Sequence, residues 1–202
     1  MMDQKIRLLL SPLDDEVVGL FYRWTIFHQL FGSGEENLKL LNRSGSNIFA
    51  LLQALLVDNF YLTLSRLTDP DATGKHENLS LSYFLRAIDS LLSAQARTEL
   101  QASLATLSTM TENIRSHRNK RIGHLDLKHA IRAKELPSVV YNDINAAIEL
   151  VRKIMQGILL ELENASGYGE PCIEYGCDGT HLLTVLRDAH RSTKKSEGGL
   201  EE

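Results

Sequence analysis

The 202-residue chain reads as an all-α protein, and three observations say so. Its apolar positions are filled mostly by Leu, Ile and Ala rather than by the β-branched and aromatic mixture that suits sheets, and aromatic residues make up only 6% of the chain. Apolar residues recur at spacings of three and four through several long segments. Clusters of glycine, proline and short polar residues fall between those segments. With 43% apolar content the chain can bury a sizeable core, and its length suits one domain or one domain with a short appendage.

Ser11-Pro12 followed by Asp14, Asp15 and Glu16 predicts a helix start, with a cap, a proline at the first helical position and acids at the positive end of the dipole. This first helix is expected to run to about Phe31 and stop at Gly32-Ser33-Gly34. A short helix over 35–41 follows, ended by the polar run 42–46. From Asn47 to Thr68, Phe49, Leu52, Leu55, Leu56, Phe60, Leu62, Leu64 and Leu67 predict a helix at the centre of the core. Asp69-Pro70-Asp71 ends it, and the polar run through Asn78 reads as a surface loop. Ser80 is placed to cap a helix carrying Tyr83, Phe84, Ile88, Leu91 and Leu92. Leu100, Leu104, Leu107, Met110 and Ile114 define one buried stripe on a long helix from about Ala94 to Arg121. After Pro137-Ser138, residues 141–164 form another strong helix, terminated at Gly167-Tyr168-Gly169-Glu170-Pro171. A last amphipathic helix over 179–190 precedes a polar tail, 191–202, expected to fray.

Composition bounds the function. Two cysteines exclude a disulfide scaffold, and no window approaches the run of about 18 apolar residues a membrane span needs, so a cytoplasmic protein without a membrane partner is expected. A net charge of −4 excludes a polycation that coats nucleic acid indiscriminately. The charge is uneven: Arg115 to Lys134 carries +6, from seven Lys or Arg against Asp126, while the other 182 residues carry −10.

That basic stretch holds the residues with chemistry. On one regular helix, His117, Arg121, His124 and Lys128 share a flank, with Arg118 beside it. Guanidinium groups hold phosphate as permanently charged forks, and imidazole takes up and returns protons near neutral pH. Together they suit cleavage of a phosphodiester by a ribose 2′-hydroxyl, with no cofactor and no metal required. The plain alternative is a solvated helix end whose cations complement the dipole. An i, i+6 spacing separates Arg118 and His124 by about 120° on an unbroken helix. Bringing them together requires a distortion near Gly123 or completion across a dimer.

Arg118-Asn119, four further residues and then His124 resemble the signature of the HEPN domains (higher eukaryotes and prokaryotes nucleotide-binding). Leu64-Ser65-Arg66-Leu67-Thr68-Asp69, Asn78-Leu79-Ser80-Leu81 and His124-Leu125-Asp126 look like the AbiU-type abortive-infection branch, over about residues 10–165. The resemblance implies an up-and-down helical bundle over residues 1–166, with a short C-terminal helical appendage over 167–202. It also implies a homodimer with the motif helices facing each other. His124 would be the general acid and base, Arg118 would hold the phosphate, and Asn119 would orient the phosphate or the attacking hydroxyl. His117, Lys120, Arg121 and Lys128 would extend the RNA-facing surface. The implied activity is a metal-independent endoribonuclease of a toxin–antitoxin or phage-defence system, with RNA and an antitoxin protein as partners. Two other functions use the same surface: a non-catalytic nucleotide- or RNA-binding module, and an interaction protein that docks an acidic partner.

Other features read as structural. Cys172, Cys177 and His181 offer only three candidate zinc ligands without the paired short spacings of a zinc knuckle. His28 reads as a core or groove histidine and Trp24 as core. Arg66 and Asp69 read as a local ion pair or cap. Gly32-Ser33-Gly34 lacks the lysine and strand context of a phosphate loop.

Overall fold

The computed structural model describes residues 3–163, 173–174 and 176–198. The protein is an all-α helical bundle; among the described residues the only strands are a two-residue hairpin, Ala72–Thr73 with His76–Glu77. Helix α1 spans Gln4–Phe27 and continues as a π-turn, His28–Gly32; α2 spans Glu35–Leu67 and α3 Leu81–Ala87. Then come α4 (Ala94–Met110), α5 (Glu112–His117), a second π-turn (Arg118–Ile122), the short α6 (Leu127–Ala130), α7 (Tyr141–Glu163) and α8 (Gly179–Gly198). The chain divides into two compact units, residues 1–20 with 58–170, and residues 21–57 with 171–202.

In the first unit, α1 begins earlier than Ser11. Asp3 caps it, its carboxylate accepting the Lys5 amide at 2.9 Å, and Ile6, Leu10, Leu13, Val17 and Leu20 form one buried stripe that runs past Pro12 without interruption. Proline inside a helix deprives the carbonyl four residues back of its donor. Here Pro12 and Leu8 both lie on the exposed side, away from the apolar interior where an unpaired carbonyl is costly, and the stripe holds the helix together. The last turns of α2 place Phe60, Tyr61, Leu64 and Leu67 in the core. Ser80 caps α3, its hydroxyl accepting the Tyr83 amide. Leu100, Leu107 and Ile114 are buried on the expected stripe, with Leu104 and Met110 half-buried. Helix α7 packs on α4 and buries Ile144, Ile148, Val151, Ile154, Met155 and Ile158. Gly157 lets the two helices close up, since a Cβ there would sit 2.9 Å from the Leu100 side chain. The Ser93 hydroxyl caps α4 by accepting the Ala96 amide, and the Ser93 amide donates to Glu161 of α7 at 2.9 Å.

In the second unit, Leu30, Leu40, Leu41 and Leu183 form the core, with Phe49, Leu52 and Leu186 packed on it. The helical run of α2 is interrupted at Gly45 (φ 168°, ψ 66°), a non-helical kink between two helices that falls within the expected break at 42–46. Residues 47–57 are not the centre of the core: Ile48, Leu51 and Leu55 are 72%, 61% and 58% exposed, because this stretch is apolar on both faces and only the Phe49–Leu52 side is covered. By length and composition alone α2 is apolar enough to cross a membrane, the one described helix that is. Helix α8 continues to Gly198, past the point where fraying was expected. Lysine and glutamate are good helix formers, and Ser192 and Thr193 turn their hydroxyls back onto the carbonyls of Asp188 and Ala189. His28 is exposed rather than in the core, whereas Trp24 is buried and stacks on Phe27. The terminator at 167–171 and Cys172 lie outside the described residues; Cys177 is exposed. Among the described residues no group of His, Cys, Asp or Glu is arranged to hold a metal.

Candidate nucleic-acid interface

The basic stretch begins on α5, whose Ile114 is anchored in the core of the first unit. At Arg118 the hydrogen-bond pattern widens, and the Gly123 amide donates to the Arg118 carbonyl at 2.7 Å across five residues. Helical structure ends there. His124 stands in an irregular segment, and Asp126 caps α6, its carboxylate accepting the His129 amide at 3.2 Å. The expected single face is therefore divided: His117, Arg121, His124 and Lys128 belong to four successive pieces of backbone.

Each side chain has a definite place. The Arg118 guanidinium is ion-paired to Asp69, just beyond the end of α2, with the two side chains 29% and 19% exposed. Its Nε is buried without a hydrogen-bond acceptor. Arg121 is ion-paired to Asp58 of α2 and lies over the Tyr61 ring, 5.9 Å from its centroid. Burial, the first cause, pushes the Tyr61 phenol above its usual range, against the opposing charge of Arg121. His117 faces inward. Its ring packs 5.1 Å from Tyr61 and its Nε2 donates to the Pro137 carbonyl at 2.8 Å, which can only accept. Arg115 is also internal, its guanidinium donating to Thr68 Oγ1, Thr111 Oγ1 and the Ser108 carbonyl.

Asn119 and His124 are exposed. Arg118 and His124 make no hydrogen bond to one another. Lys120, Lys128, Arg132 and Lys134 make no ion pair among the described residues, so they supply the uncompensated positive charge of this surface. The local ion pair expected between Arg66 and Asp69 does not form: Arg66 pairs with Glu16 of α1, and Asp69 turns to Arg118. Asp58 and Asp69 were the residues that charge counting missed. They stand 63 and 49 positions from their arginines, and no short-range pattern links them.

Close by, Asp126 and His129 form a pair at 2.6 Å. The His129 side chain, then the His129 amide, hold the Asp126 carboxyl below its usual value. A carboxylate, an oriented imidazole and unpaired ammonium groups around an arginine-bearing turn can hold phosphate and move protons.

These features define a helical protein with a cationic turn of the Arg-x5-His type. The HEPN AbiU2 family profile matches residues 3–175, and the chain belongs to that family. Membership points to a nuclease or abortive-infection-related role. No curated protein and no solved structure matches the chain.

Proposed function

We propose that the protein is a metal-independent endoribonuclease of a toxin–antitoxin or phage-defence system, cleaving RNA by attack of a ribose 2′-hydroxyl on the adjacent phosphate. The observation that carries this reading is the π-turn itself: Arg118 opens it, half-buried with an unsatisfied Nε, and exposed His124 follows its close. A phosphate oxygen is the acceptor such a guanidinium lacks. Lys120 and Lys128 extend the cationic surface, and Asn119 adds an exposed amide to orient the phosphate or hydroxyl. Arg121 joins the RNA contact by leaving Asp58, while His117 serves by shaping the turn. A homodimer in which two such turns share a cleft, a cytoplasmic location and an acidic antitoxin that covers the cations belong to the same reading.

The test is incubation of the purified chain with a mixed RNA pool in EDTA, beside His124→Ala. Cleavage by the wild type and its loss in the variant, with RNA affinity retained within a few-fold, is the expected result. A wild type that leaves the RNA intact overturns it. A non-catalytic RNA-binding module is the second reading, favoured by the engagement of Arg118 with Asp69 and by the lack of any bond between Arg118 and His124. It predicts salt-dependent binding without cleavage in either form.

A further inference from the structure

We propose that the cleft between α3 and α4 is a base-reading subsite, taking one guanine of the RNA whose phosphate Arg118 holds; for its RNA, though not for its base chemistry, the inference rests on the ribonuclease reading. The cleft encloses about 220 Å³. Sites for whole drug-sized ligands run to roughly 300–1,000 Å³, so this one suits a single ring system rather than a complete nucleotide. Leu85, Leu92, Leu100 and Leu104 wall it with apolar surface for the faces of a ring. Its charge is balanced, because Arg86 pairs with Asp71 at 3.1 Å and Arg97 with Asp89 at 2.8 Å. A phosphate finds no uncompensated cation there, and the cleft fits a neutral group with a polar edge.

One group in the cleft is incomplete. Asp71 Oδ2 faces Arg86, but Oδ1 is buried and accepts nothing. A buried acceptor without a donor is costly, and a ligand N–H supplies what is missing. The carboxylate with Arg86 beside it offers two acceptors and then a donor. Among the RNA bases guanine alone presents the complement, two adjacent donors at N2 and N1 followed by the acceptor O6. Adenine and cytosine follow an amino donor with a ring acceptor, and uracil sets one donor between two carbonyls. The Arg86 side chain is 64% exposed, and so exposed a pair is worth little, so Arg86 shifts to O6 and opens the carboxylate to the base edge. The cleft is also continuous with the surface around Arg118. Ser82, Gln101 and Leu104 border both it and a second cleft of about 360 Å³, which Thr68 and Asp69 line. Asp69 is the carboxylate that holds Arg118. Asp69 and Asp71 are two residues apart in the chain, so their Cα atoms are separated by at most about 7 Å, within the span of one nucleotide. With phosphate on Arg118, the base next to it along the strand lies against Asp71.

The competing explanation is two surface ion pairs that bind nothing, and Asp71→Asn separates the two. Asparagine keeps the shape but turns one acceptor oxygen into an amide donor, which opposes the guanine N–H. Cut sites mapped on a mixed RNA pool in EDTA should show guanine at one fixed position beside the cut, enriched about tenfold or more. In Asp71→Asn the preference disappears and cutting spreads over all four bases. Arg86→Ala, at an exposed position, should lower the same preference severalfold and is the second variant should Asp71→Asn fail to fold. No base preference in the wild type, or an equal guanine preference in the variants, overturns the subsite and leaves the ribonuclease reading standing. Should the wild type leave the RNA intact, that reading falls and a titration with the four nucleoside monophosphates decides the cleft. Guanosine monophosphate bound about tenfold tighter than the others, with the difference lost in Asp71→Asn, assigns the cleft to a free guanine nucleotide; equal binding of all four overturns it.

Discussion

The Arg118 guanidinium is held by the Asp69 carboxylate, 49 residues earlier in the chain, so the residue expected to grip phosphate already grips an acid. Both side chains are less than a third exposed. RNA must therefore displace Asp69 to engage Arg118. Asp69→Asn should strengthen RNA binding, roughly tenfold at low salt, while costing about 1–2 kcal/mol of stability because a half-buried guanidinium loses its counter-charge. Binding titrations beside a thermal melt check both, and weaker binding would contradict the competition.

Arg115 lies in the same basic stretch but serves the fold. It links Thr68 at the end of α2 to Thr111 and Ser108 at the junction of α4 and α5, where Thr68 and Thr111 are buried. Arg115→Ala should cost about 2–3 kcal/mol, a fall of roughly 5–10 °C in the melting midpoint, because buried acceptors lose a charged donor. RNA affinity at a temperature where the variant is folded should change by less than about threefold. Calorimetry and a filter-binding assay measure the two.

His117 gives the complementary case. Its ring contacts Tyr61 and the Pro137 carbonyl, with Nδ1 buried and unpaired. His117→Phe keeps the ring packing and loses one hydrogen bond, worth about 1 kcal/mol. Cleavage and RNA affinity should stay within about twofold of wild type. A hundredfold loss of either would return His117 to the RNA-facing surface.

The Asp126–His129 pair sets a pH dependence. The folded-state carboxyl of Asp126 titrates below its ordinary value. Its contribution to stability is therefore fully present above about pH 4, the usual carboxylate range, and is lost as pH falls through the lowered value. Asp126→Asn should flatten the acid limb of stability below about pH 4. Urea midpoints measured across that range in both proteins decide it.

Much of the fold was legible because helices announce themselves by apolar spacing. The stripes on α4 and α7 and the cap at Ser80 follow directly from residue order. The misread points share a cause. Pro12 is tolerated because a continuous stripe and an exposed position offset the lost donor, and a proline viewed alone carries neither fact. The outer face of α2 is apolar enough to imitate a core helix, although Ile48 and Leu51 are exposed. At the candidate site, the residues of the basic stretch were visible, but their engagements were not. Asp58, Asp69 and Pro137 reach them through tertiary folding, and the widened turn at Arg118 depends on which carbonyl an amide selects.

That widened turn has a consequence for how the chain tolerates change in length. A five-residue ring accommodates one residue more than an α-helical ring, so removing a single residue between Arg118 and Gly123 would let the backbone relax into an ordinary α-helical turn at little local expense. Because the α-helical ring closes the same single turn with one residue fewer, His124 and the Asp126–His129 pair downstream would keep nearly the same orientation about the helix axis. The spacing between arginine and histidine can thus shorten by one at this turn without reorienting the residues that follow it.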